Sequence, residues 1–469
     1  MRKKSSAAAL WIAEITLVGG LSVRAPVALA DDAPTVVHPE LSAIAKEVSA
    51  QSLHEIDAKL VGFGTRSTLS DTKSGTRGIG AARRWVKSRF DAISKDCGGC
   101  LEIVTPSQVF TGKRTPKEGV EVMDVVAIQR GTSDPDRVIV ITGHLDSRRS
   151  DVMDATGEAP GANDDASGVS ALIETARVLS KYKFPATLVY SADSGEEQGL
   201  YGGKIIAQYA VDHGWKVEAN LNNDIVGSPN GGDGQSDPHT VRVFSEGTKS
   251  NETLEQAKYR RYHGGEVDSP SRNLARFMQS LAEQVLDGFR VRVVYRTDRY
   301  GRGGDQTEFL AQGFPAVRVT ESHEDYTHQH QDIRSENGVQ YGDTIEHVDF
   351  DYLANVTRLD AITMAALAWG PAPPQGVDIQ GEVAYDTTVS WQPVTGAARY
   401  RVWWRETTAP QWQQARDAGN ATSLKLVRIN IDDYYFGVSA VSADGWESPV
   451  VFPGVAGSFD RSPPVAGTE

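Results

Sequence analysis

Short apolar runs alternate with amphipathic stretches through the first three quarters of the chain. Residues 167–182 repeat apolar side chains at helical spacing, with Val169, Leu172 and Ile173 on one face. Strand-like runs lie on both sides of this stretch. These runs are residues 137–142, 187–190, 221–226 and 316–320. The alternation predicts an α/β fold with a doubly wound, mainly parallel sheet flanked by helices, in which ligands bind beyond the carboxyl ends of the strands.

The pattern changes after a predicted helix over residues 351–369. Residues 371–376 are rich in proline and predict a stiff linker. The strand-like runs beyond the linker are residues 388–391, 399–405 and 434–440. We therefore predict a main domain over residues 31–370, the linker, a small all-β sandwich domain over residues 377–455, and a tail over residues 456–469.

The sequence of the predicted sandwich resembles a fibronectin type III domain. Its last strand-like run is followed by Gly-Trp-Glu-Ser-Pro at residues 445–449, with Trp391 as the core tryptophan and Tyr434 as the corner tyrosine. No cluster of catalytic residue types lies in this segment. We therefore expect a spacer or binding module, whose partner would be a surface or a polymer.

The first 30 residues have the pattern of a signal peptide. Arg2, Lys3 and Lys4 precede an apolar stretch over residues 7–21, and Ala-Leu-Ala at residues 28–30 fits the cleavage pattern. A membrane anchor is the alternative, but the uninterrupted apolar run falls short of the ~20 residues that a spanning helix requires. We predict a secreted or periplasmic protein with no membrane span in the mature chain.

The formal net charge of −14 excludes one class of partner. Nucleic-acid binding needs a basic stripe, and the sequence has none. The two cysteines, Cys97 and Cys100, are too few for a four-cysteine zinc site. In an exported protein this close pair can form a small disulfide, whereas a redox-active pair would need a thioredoxin-like context that the neighbouring sequence lacks.

Histidine and carboxylate side chains follow the predicted strands in five segments. His144 and Asp146 come directly after the first strand, where an imidazole suits zinc and a nearby carboxylate can orient the ring. Asp164 lies in the loop that enters the helix, and its two oxygens can bridge two cations. For one segment alone, ordinary hydrogen bonds at a strand end, or a helix cap at Asp165, explain the same residues.

The remaining segments add carboxylates and imidazoles. Glu196 and Glu197 stand together at a strand end, which is costly unless something positive meets them. Asp224 ends or interrupts an otherwise apolar strand. The fifth segment contains His328 and His330, either of which can be a metal ligand. A solvated acidic turn and a polar surface loop are the alternatives for these segments taken singly.

Taken together, the five segments resemble the zinc aminopeptidase family that includes bacterial leucyl aminopeptidases and glutamate carboxypeptidase II. The resemblance covers about residues 40–370 and implies a doubly wound α/β fold. It rests on Gly-His-Leu-Asp-Ser at 143–147, Gly-Ala-Asn-Asp-Asp-Ala-Ser-Gly at 161–168, Glu196-Glu197, Asp224 and the late histidine.

The resemblance implies two zinc ions per chain, with Asp164 bridging them. The family's late histidine precedes an acidic residue by four positions, so we choose His328, which precedes Asp332, over His330. The family also has a cis peptide bond after the bridging aspartate, which here would join Asp164 to Asp165. The metal ligands assigned in this way are His144, Asp164, Glu197, Asp224 and His328.

The resemblance also implies the catalytic roles. Glu196 would be the general base, and Asp146 would support His144. The expected activity is that of a zinc-dependent exopeptidase acting on peptide substrates, most simply an aminopeptidase. The alternatives are a single-zinc enzyme like glutaminyl cyclase, a dipeptidase or carboxypeptidase of the same fold, an inactive relative, and an adhesion protein that acts through the sandwich.

The sequence departs from the family pattern at one position near the expected substrate pocket. Family members often have a histidine where this chain has Gln306, so the difference concerns the preference for a side chain rather than the chemistry. A tyrosine of the preceding loop can stabilise the oxyanion in related enzymes. Tyr300 is the nearest candidate for that role.

Overall fold

The computed structural model describes residues 38–461. The predicted signal peptide, and residues 462–469 of the predicted tail, lie outside the described residues. Within residues 38–461, no helix has both the length and the apolar character needed to cross a membrane.

Helices and strands both occur up to residue 369, and strands make up the regular structure of the described chain beyond it. The helices are α1 (Pro39–Glu47), α2 (Ala50–Val61), α3 (Ile79–Asp96), α4 (Ser167–Leu179), α5 (Glu196–Gly199), α6 (Tyr201–Asp212), α7 (Leu254–His263), α8 (Pro270–Val285), α9 (Gln306–Ala311) and α10 (Phe350–Trp369). The strands of the first part are β1 (Glu102–Val104), β2 (Ser107–Phe110), β3 (Val120–Met123), β4 (Val125–Gln129), β5 (Asp134–His144), β6 (Ala186–Asp193), β7 (Lys216–Asn223), β8 (Thr240–Phe244), β9 (Arg290–Val294), β10 (Ala316–Thr320), β11 (Arg334–Glu336) and β12 (Val339–Tyr341). The later strands are β13 (Asp378–Gln380), β14 (Thr387–Ser390), β15 (Ala397–Glu406), β16 (Gln414–Gly419), β17 (Ser423–Leu426) and β18 (Tyr434–Ser442).

One eight-stranded sheet organises the main domain, in the order β1-β4-β6-β5-β7-β10-β8-β9. The central strands β6, β5, β7 and β10 are mutually parallel. Antiparallel pairing occurs between β4 and β6, between β1 and β4, and between β8 and β10. The predicted α/β fold class is confirmed, and the carboxyl ends of the four central strands meet at one edge of the sheet.

Helices cover both faces of this sheet, and strand β5 shows why. Ile139 and Ile141 are buried in the apolar core that contains residues of α2, α3, α4 and α10. Val138 and Val140 are buried in a second core with residues of α6 and α9. Successive side chains of a strand point to opposite faces, so an uninterrupted apolar run belongs in a strand that is covered on both sides.

The predicted elements of the core are present, but their ends differ in places from the predicted ones. The run at residues 221–226 extends past β7, because Asp224 has already left the strand. Several helices and edge strands were not predicted from the sequence. Strand β2 and helix α7 illustrate the reason, since most of β2 is exposed and α7 contains no buried residue. Such elements lack the apolar periodicity that marks buried ones.

Cys97 and Cys100 form a disulfide at the turn between α3 and β1. The same turn is tied across by Ser94, whose Oγ donates to the main-chain oxygen of Leu101 at 2.9 Å. The disulfide is the form expected for this pair in an exported protein.

The C-terminal part is an all-β unit of two three-stranded antiparallel sheets, β13-β14-β17 and β16-β15-β18. Side chains from both sheets share one apolar core, separate from the cores of the main domain. Trp391 is buried in this core, beside Tyr400. The all-β character agrees with the sequence pattern, and the assignment to the fibronectin type III class stays a prediction.

A buried carboxylate joins this all-β unit to the main domain. Asp268, which lies between α7 and α8, accepts hydrogen bonds from Arg405 Nη2 at 2.8 Å on each of its oxygens. It also accepts from Arg276 Nη1 at 2.7 Å. The side chains of all three residues are almost fully buried. Two arginines, one from each part of the chain, therefore depend on a single carboxylate for charge compensation.

Replacement of Asp268 by alanine leaves both guanidinium groups buried without their anionic partner. We expect Asp268→Ala to lower the free energy of unfolding by about 3–5 kcal/mol, measured by urea denaturation. The matched control is Asp91→Ala, which breaks the exposed pair with Lys87 and should change the free energy by less than about 1 kcal/mol. Equal effects of the two substitutions would contradict this account of the interface.

Candidate metal centre

His144 is the last residue of β5, so its ring stands at the carboxyl edge of the sheet. Its Nδ1 lies 3.0 Å from the main-chain oxygen of Asp146, which assigns the ring hydrogen to Nδ1. Nε2 then faces Asp164 Oδ1 at 3.0 Å and Asp224 Oδ1 at 3.8 Å. The ring is buried and held with one nitrogen directed at two carboxylates, as a metal-binding imidazole must be.

The carboxylate of Asp146 has a different task from the one predicted. Its Oδ1 is 3.6 Å from His144 Nδ1, too far for a hydrogen bond. The carboxylate instead accepts from the main-chain amides of Glu196 and Glu197, each at 3.2 Å. It also accepts from the Thr68 hydroxyl at 2.9 Å. Asp146 thus caps the short helix α5, while its main-chain carbonyl orients the imidazole.

Asp164 and Asp165 lie in a tight turn between β5 and α4. The peptide bond that joins them is cis, as the family resemblance implied. Asp165 Oδ2 accepts from the His144 amide at 2.9 Å and is fully buried. On the other side of the turn, Asp343 Oδ2 accepts from the Asp164 amide at 2.7 Å. Two carboxylates that belong to neither group of candidate ligands therefore accept hydrogen bonds from the main-chain amides of His144 and Asp164.

The paired glutamates are the first two residues of α5, and their carboxylates have different surroundings. Glu197 is buried, and its Oε1 lies 3.2 Å from His330 Nε2. Glu196 is half-buried and lines a cavity beside the cluster. Its carboxylate belongs to neither of the two groups of candidate metal ligands found within residues 38–461. Glu196 is therefore available for proton transfer.

Asp224 follows β7 and is held by a buried arginine of β10. Arg318 donates from Nη1 to Asp224 Oδ2 and from Nη2 to the main-chain oxygen of Asp224, the latter at 3.1 Å. Arg318 is fully buried. The ion pair occupies one carboxylate oxygen and leaves Oδ1 directed towards His144.

The late histidine of the cluster is His330, and the prediction of His328 is corrected. His330 Nε2 lies 3.1 Å from Asp164 Oδ2 and 3.2 Å from Glu197 Oε1. His328 lies outside this group, with its Nε2 3.2 Å from Asp325 Oδ2. The two imidazoles are therefore separated in space although they are two positions apart in sequence.

The spacing that favoured His328 fails because a hairpin interrupts this region. Asp332, four residues after His328, accepts from an arginine of the loop after β5 at 3.0 Å. The acid that supports the Asp164 turn is Asp343, and strands β11 and β12 separate it from His330. A left-handed backbone at His330, with φ of 52°, accompanies the change of chain direction there.

The side chains form two groups that share Asp164. In each group, one ligand atom from every residue lies within 4.8 Å of the others. The groups are His144, Asp164 and Asp224, and Asp164, Glu197 and His330. Three of the facing atoms are buried without a hydrogen-bond partner among residues 38–461, namely His144 Nε2, Asp164 Oδ2 and Glu197 Oε1. Imidazole nitrogens and carboxylate oxygens at this spacing fit divalent cations such as zinc.

The ionisable groups of the site shift one another strongly. Burial raises the pKa of Asp164, but contacts with the two imidazoles outweigh it and hold that pKa well below its usual range. Burial lowers the pKa of His330, while Glu197 and Asp164 raise it to about 10. Burial raises the pKa of Glu196 well above its usual value, and the nearby Glu197 carboxylate raises it further. Metal binding would replace protons on these imidazoles, so metal uptake releases protons.

A cavity of about 370 Å³ opens beside the two groups. Its lining includes the carboxylates of Asp164, Glu196, Glu197 and Asp224. Arginines form much of the remaining wall, which the sequence analysis did not predict. They are Arg114, Arg148, Arg299 and Arg302. The position directly after Gly-His-Leu-Asp-Ser could have drawn attention to Arg148, and Arg299 and Arg302 flank Tyr300, whereas Arg114 lies far from any predicted segment.

Two further residues singled out from the sequence do not line this cavity. Gln306 is fully buried, accepts from Asn222 at 3.0 Å and donates to Asp298 at 2.6 Å. Gln306 therefore connects β7, the strand that precedes Asp224, to Asp298, and its side chain does not face the cavity. Tyr300 is 88% exposed on the outer side of its loop, so a role in catalysis would require that loop to move.

Comparison with known proteins agrees with this geometry. Residues 124–348 match the model of peptidase family M28. A probable zinc metalloprotease of Leptosphaeria maculans is 44% identical over 417 residues, which cover 88% of this chain and 96% of the relative. The chain belongs to peptidase family M28. A second relative of this M28 member, a probable zinc metalloprotease of Pyricularia oryzae, is 42% identical over 423 residues, covering 88% of this chain and 84% of that one.

Solved structures resemble this M28 member in fold. LapB from Legionella pneumophila superposes with a TM-score of 0.52 at 19% identity, covering 71% of this chain and 76% of that one. The LapA aminopeptidase of the same organism gives a TM-score of 0.50 at 20% identity, covering 72% of this chain and 76% of that one. At such identities the likeness concerns the α/β architecture.

The two late histidines of this M28 member provide a direct test of the metal centre. We expect His330→Ala to lower the amount of divalent metal retained per chain after dialysis, because one group loses its only imidazole. His328→Ala should retain the metal content of the unmodified protein, measured by elemental analysis. Loss of metal from His328→Ala, with retention by His330→Ala, would reverse the assignment.

Proposed function

We propose that the protein is a zinc-dependent aminopeptidase with two zinc ions per chain. The observation that carries the proposal is that Asp164 belongs to two groups of ligand atoms at once, with a different oxygen directed to each. The names of the relatives, probable zinc metalloproteases, support zinc as the metal. Nitrogen and oxygen donors of this kind are common ligands of catalytic zinc.

The same arrangement favours a peptidase over a single-zinc enzyme. In a single-zinc site, one of the two groups would be a buried set of carboxylate and imidazole atoms without a cation. Buried charges of this kind are paired or coordinate metals. In the group that contains Glu197 and His330, as in the group around His144, the ligand atoms lie within 4.8 Å of one another, so both groups support a bound ion.

Glu196 is the residue that we assign to proton transfer. Bound zinc ions would lower the pKa of a water molecule and polarise the scissile carbonyl. Glu196 accepts the proton of the attacking water and then donates it to the leaving amine, as a general base and acid. A carboxyl group whose pKa is raised suits this task, because it can hold the proton between the two steps.

The size of the cavity favours an exopeptidase over an endopeptidase, which binds an extended stretch of the substrate chain. Its volume of about 370 Å³ matches a ligand the size of one or two residues. The carboxylate of Glu196, which belongs to neither group of candidate metal ligands, can attract a positively charged group, which for a peptide end is the α-ammonium. These two features favour removal of residues from the N-terminus.

We also propose that the protein acts outside the cytoplasm, either secreted or in the periplasm. The disulfide between Cys97 and Cys100 supports this location, because such bonds persist in oxidising compartments. For the C-terminal unit we propose a fibronectin type III-like module that binds a surface or a polymer, in keeping with the alternation of its strands.

The assignment of the base is tested by Glu196→Gln. This change keeps the shape of the side chain but removes its capacity to accept a proton. We expect kcat to fall about 10²- to 10⁴-fold, with zinc content unchanged by elemental analysis. Turnover close to that of the unmodified enzyme would exclude Glu196 as the base.

The polarity of cleavage is tested with blocked substrates. We expect hydrolysis of leucyl aminomethylcoumarin amide, and loss of hydrolysis when the leucine carries an N-acetyl group, because the acetyl group removes the ammonium charge. Treatment with a chelator should abolish the activity, and added zinc should restore it. Faster cleavage of the acetylated substrate, which has no free chain end, would favour an endopeptidase instead.

A further inference from the structure

The four arginines of the cavity wall differ in how their charge is balanced. Arg299 lies 3.1 Å from an Asp298 oxygen and 3.4 Å from a Glu324 oxygen. Arg302 shares the same Glu324, at 3.2 Å. These two guanidinium groups therefore have carboxylates within ion-pair distance, although Glu324 also pairs with Arg242 at 2.7 Å. The other two, Arg114 and Arg148, make hydrogen bonds to main-chain oxygens instead.

Arg148 lies in the segment directly after β5 and is largely buried, with 14% of its side chain exposed. Its Nε donates to the Arg149 carbonyl at 3.0 Å and its Nη2 to the Ser150 carbonyl at 2.9 Å. The nearest carboxylate oxygen within the described part of the chain is Glu197 Oε2, 3.7 Å from Nη1. A guanidinium group has five N–H donors, so both hydrogens on Nη1 are available.

Arg114 approaches the same residue from a different direction. It lies in the loop between β2 and β3, a hairpin outside the main sheet. Its Nη1 donates to the main-chain oxygen of Glu197 at 2.9 Å. Phe110 of the hairpin stacks on Tyr201 of α6, with ring centroids 4.3 Å apart, which fixes the hairpin over the cavity. Two arginines from separate elements thus flank one candidate metal ligand.

The charge of the cavity makes these two arginines significant. Three of the four carboxylates that line it are candidate metal ligands, and bound divalent cations would balance these three. Arg299 and Arg302 have Asp298 and Glu324 as anionic partners, whereas Arg148 has Glu197 alone and Arg114 forms no ion pair within the described residues. A cation bound at Glu197 would therefore leave Arg114 and Arg148 without an anionic partner. Such a wall attracts an anion, and guanidinium groups match the two oxygens of a carboxylate.

We propose that Arg114 and Arg148 bind a carboxylate of the substrate and thereby determine specificity. The inference rests on the proposed peptidase function and deepens it. The favoured substrates are short peptides with an ammonium group at one end and a negative charge close to the scissile bond. The carboxylate is either the C-terminal group of a dipeptide or the side chain of an acidic residue.

Pairs of substrates that differ only in this charge distinguish the two sources. Leucyl-leucine is compared with its C-terminal amide, which removes the α-carboxylate alone. Leucyl-glutamate amide is compared with leucyl-glutamine amide, which removes only the side-chain charge. We expect the charged member of at least one pair to be hydrolysed with the higher kcat/KM, and that pair identifies the source.

The preference should depend on the two arginines. We expect Arg148→Gln and Arg114→Gln each to reduce the ratio of kcat/KM for the charged over the neutral substrate by about 10- to 100-fold. Arg148→Lys, which keeps the charge, should retain part of the preference. The control is Arg130→Gln. Arg130 lies just beyond β4 and pairs with Glu102 of β1, so this substitution should leave the ratio of kcat/KM values unchanged. A merely structural role would lower both rates together and leave the ratio intact.

Binding to a catalytically impaired protein separates this inference from the proposed function. Zinc-loaded Glu196→Gln is titrated with each substrate pair by calorimetry, with and without Arg148→Gln. Tighter binding of the charged member, lost with Arg148→Gln, supports the inference even if the unmodified protein hydrolyses neither pair. Equal affinity for both members of each pair, or a preference that survives both arginine substitutions, overturns it even if the peptidase activity is confirmed.

Discussion

The crowding of two carboxylates and two imidazoles around Asp164 is the constraint on which the rest of the structure depends. Like charges buried this close raise one another's pKa, and buried polar atoms without partners are costly. Protons on the imidazoles offset part of that cost, as the raised pKa of His330 shows. Divalent cations would offset it more completely, because each cation meets several oxygens and nitrogens at once.

A second set of side chains holds these ligands in place without joining them. Asp146, Asp165 and Asp343 each accept hydrogen bonds from main-chain amides that border the site. Arg318 fixes Asp224 from within β10. Ligands that are held before a metal arrives lose little conformational freedom on binding, and preorganised groups of this kind are what catalysis requires. The carboxyl edge of the sheet therefore acts as a rigid platform for the chemistry.

The cavity beside this platform combines opposite charges. Its floor carries the carboxylates of the cluster, while its wall carries arginines contributed by the loops around the cavity and by a hairpin outside the main sheet. Under the proposed function, the platform fixes where bond cleavage occurs, and the surrounding loops determine which peptide fits. This division follows a general property of α/β proteins, in which the sheet supports the site and the loops at its edge vary in recognition.

The sequence by itself determined the α/β fold class, the all-β character of the C-terminal part, and most residues of the cluster. Apolar runs identify buried strands, and His144, Glu197 and Asp224 lie at or just beyond the ends of such runs. The resemblance to a known family implied Asp164 and the ligand set as a whole. Only the tertiary structure decided between His328 and His330, because an intervening hairpin breaks the spacing on which that choice depended. Only the tertiary structure also revealed the position of Arg114 in the cavity wall and the pairing of Asp268 with two arginines. Such contacts join segments that are distant in sequence, and local periodicity contains no information about which distant side chain will meet a given charge.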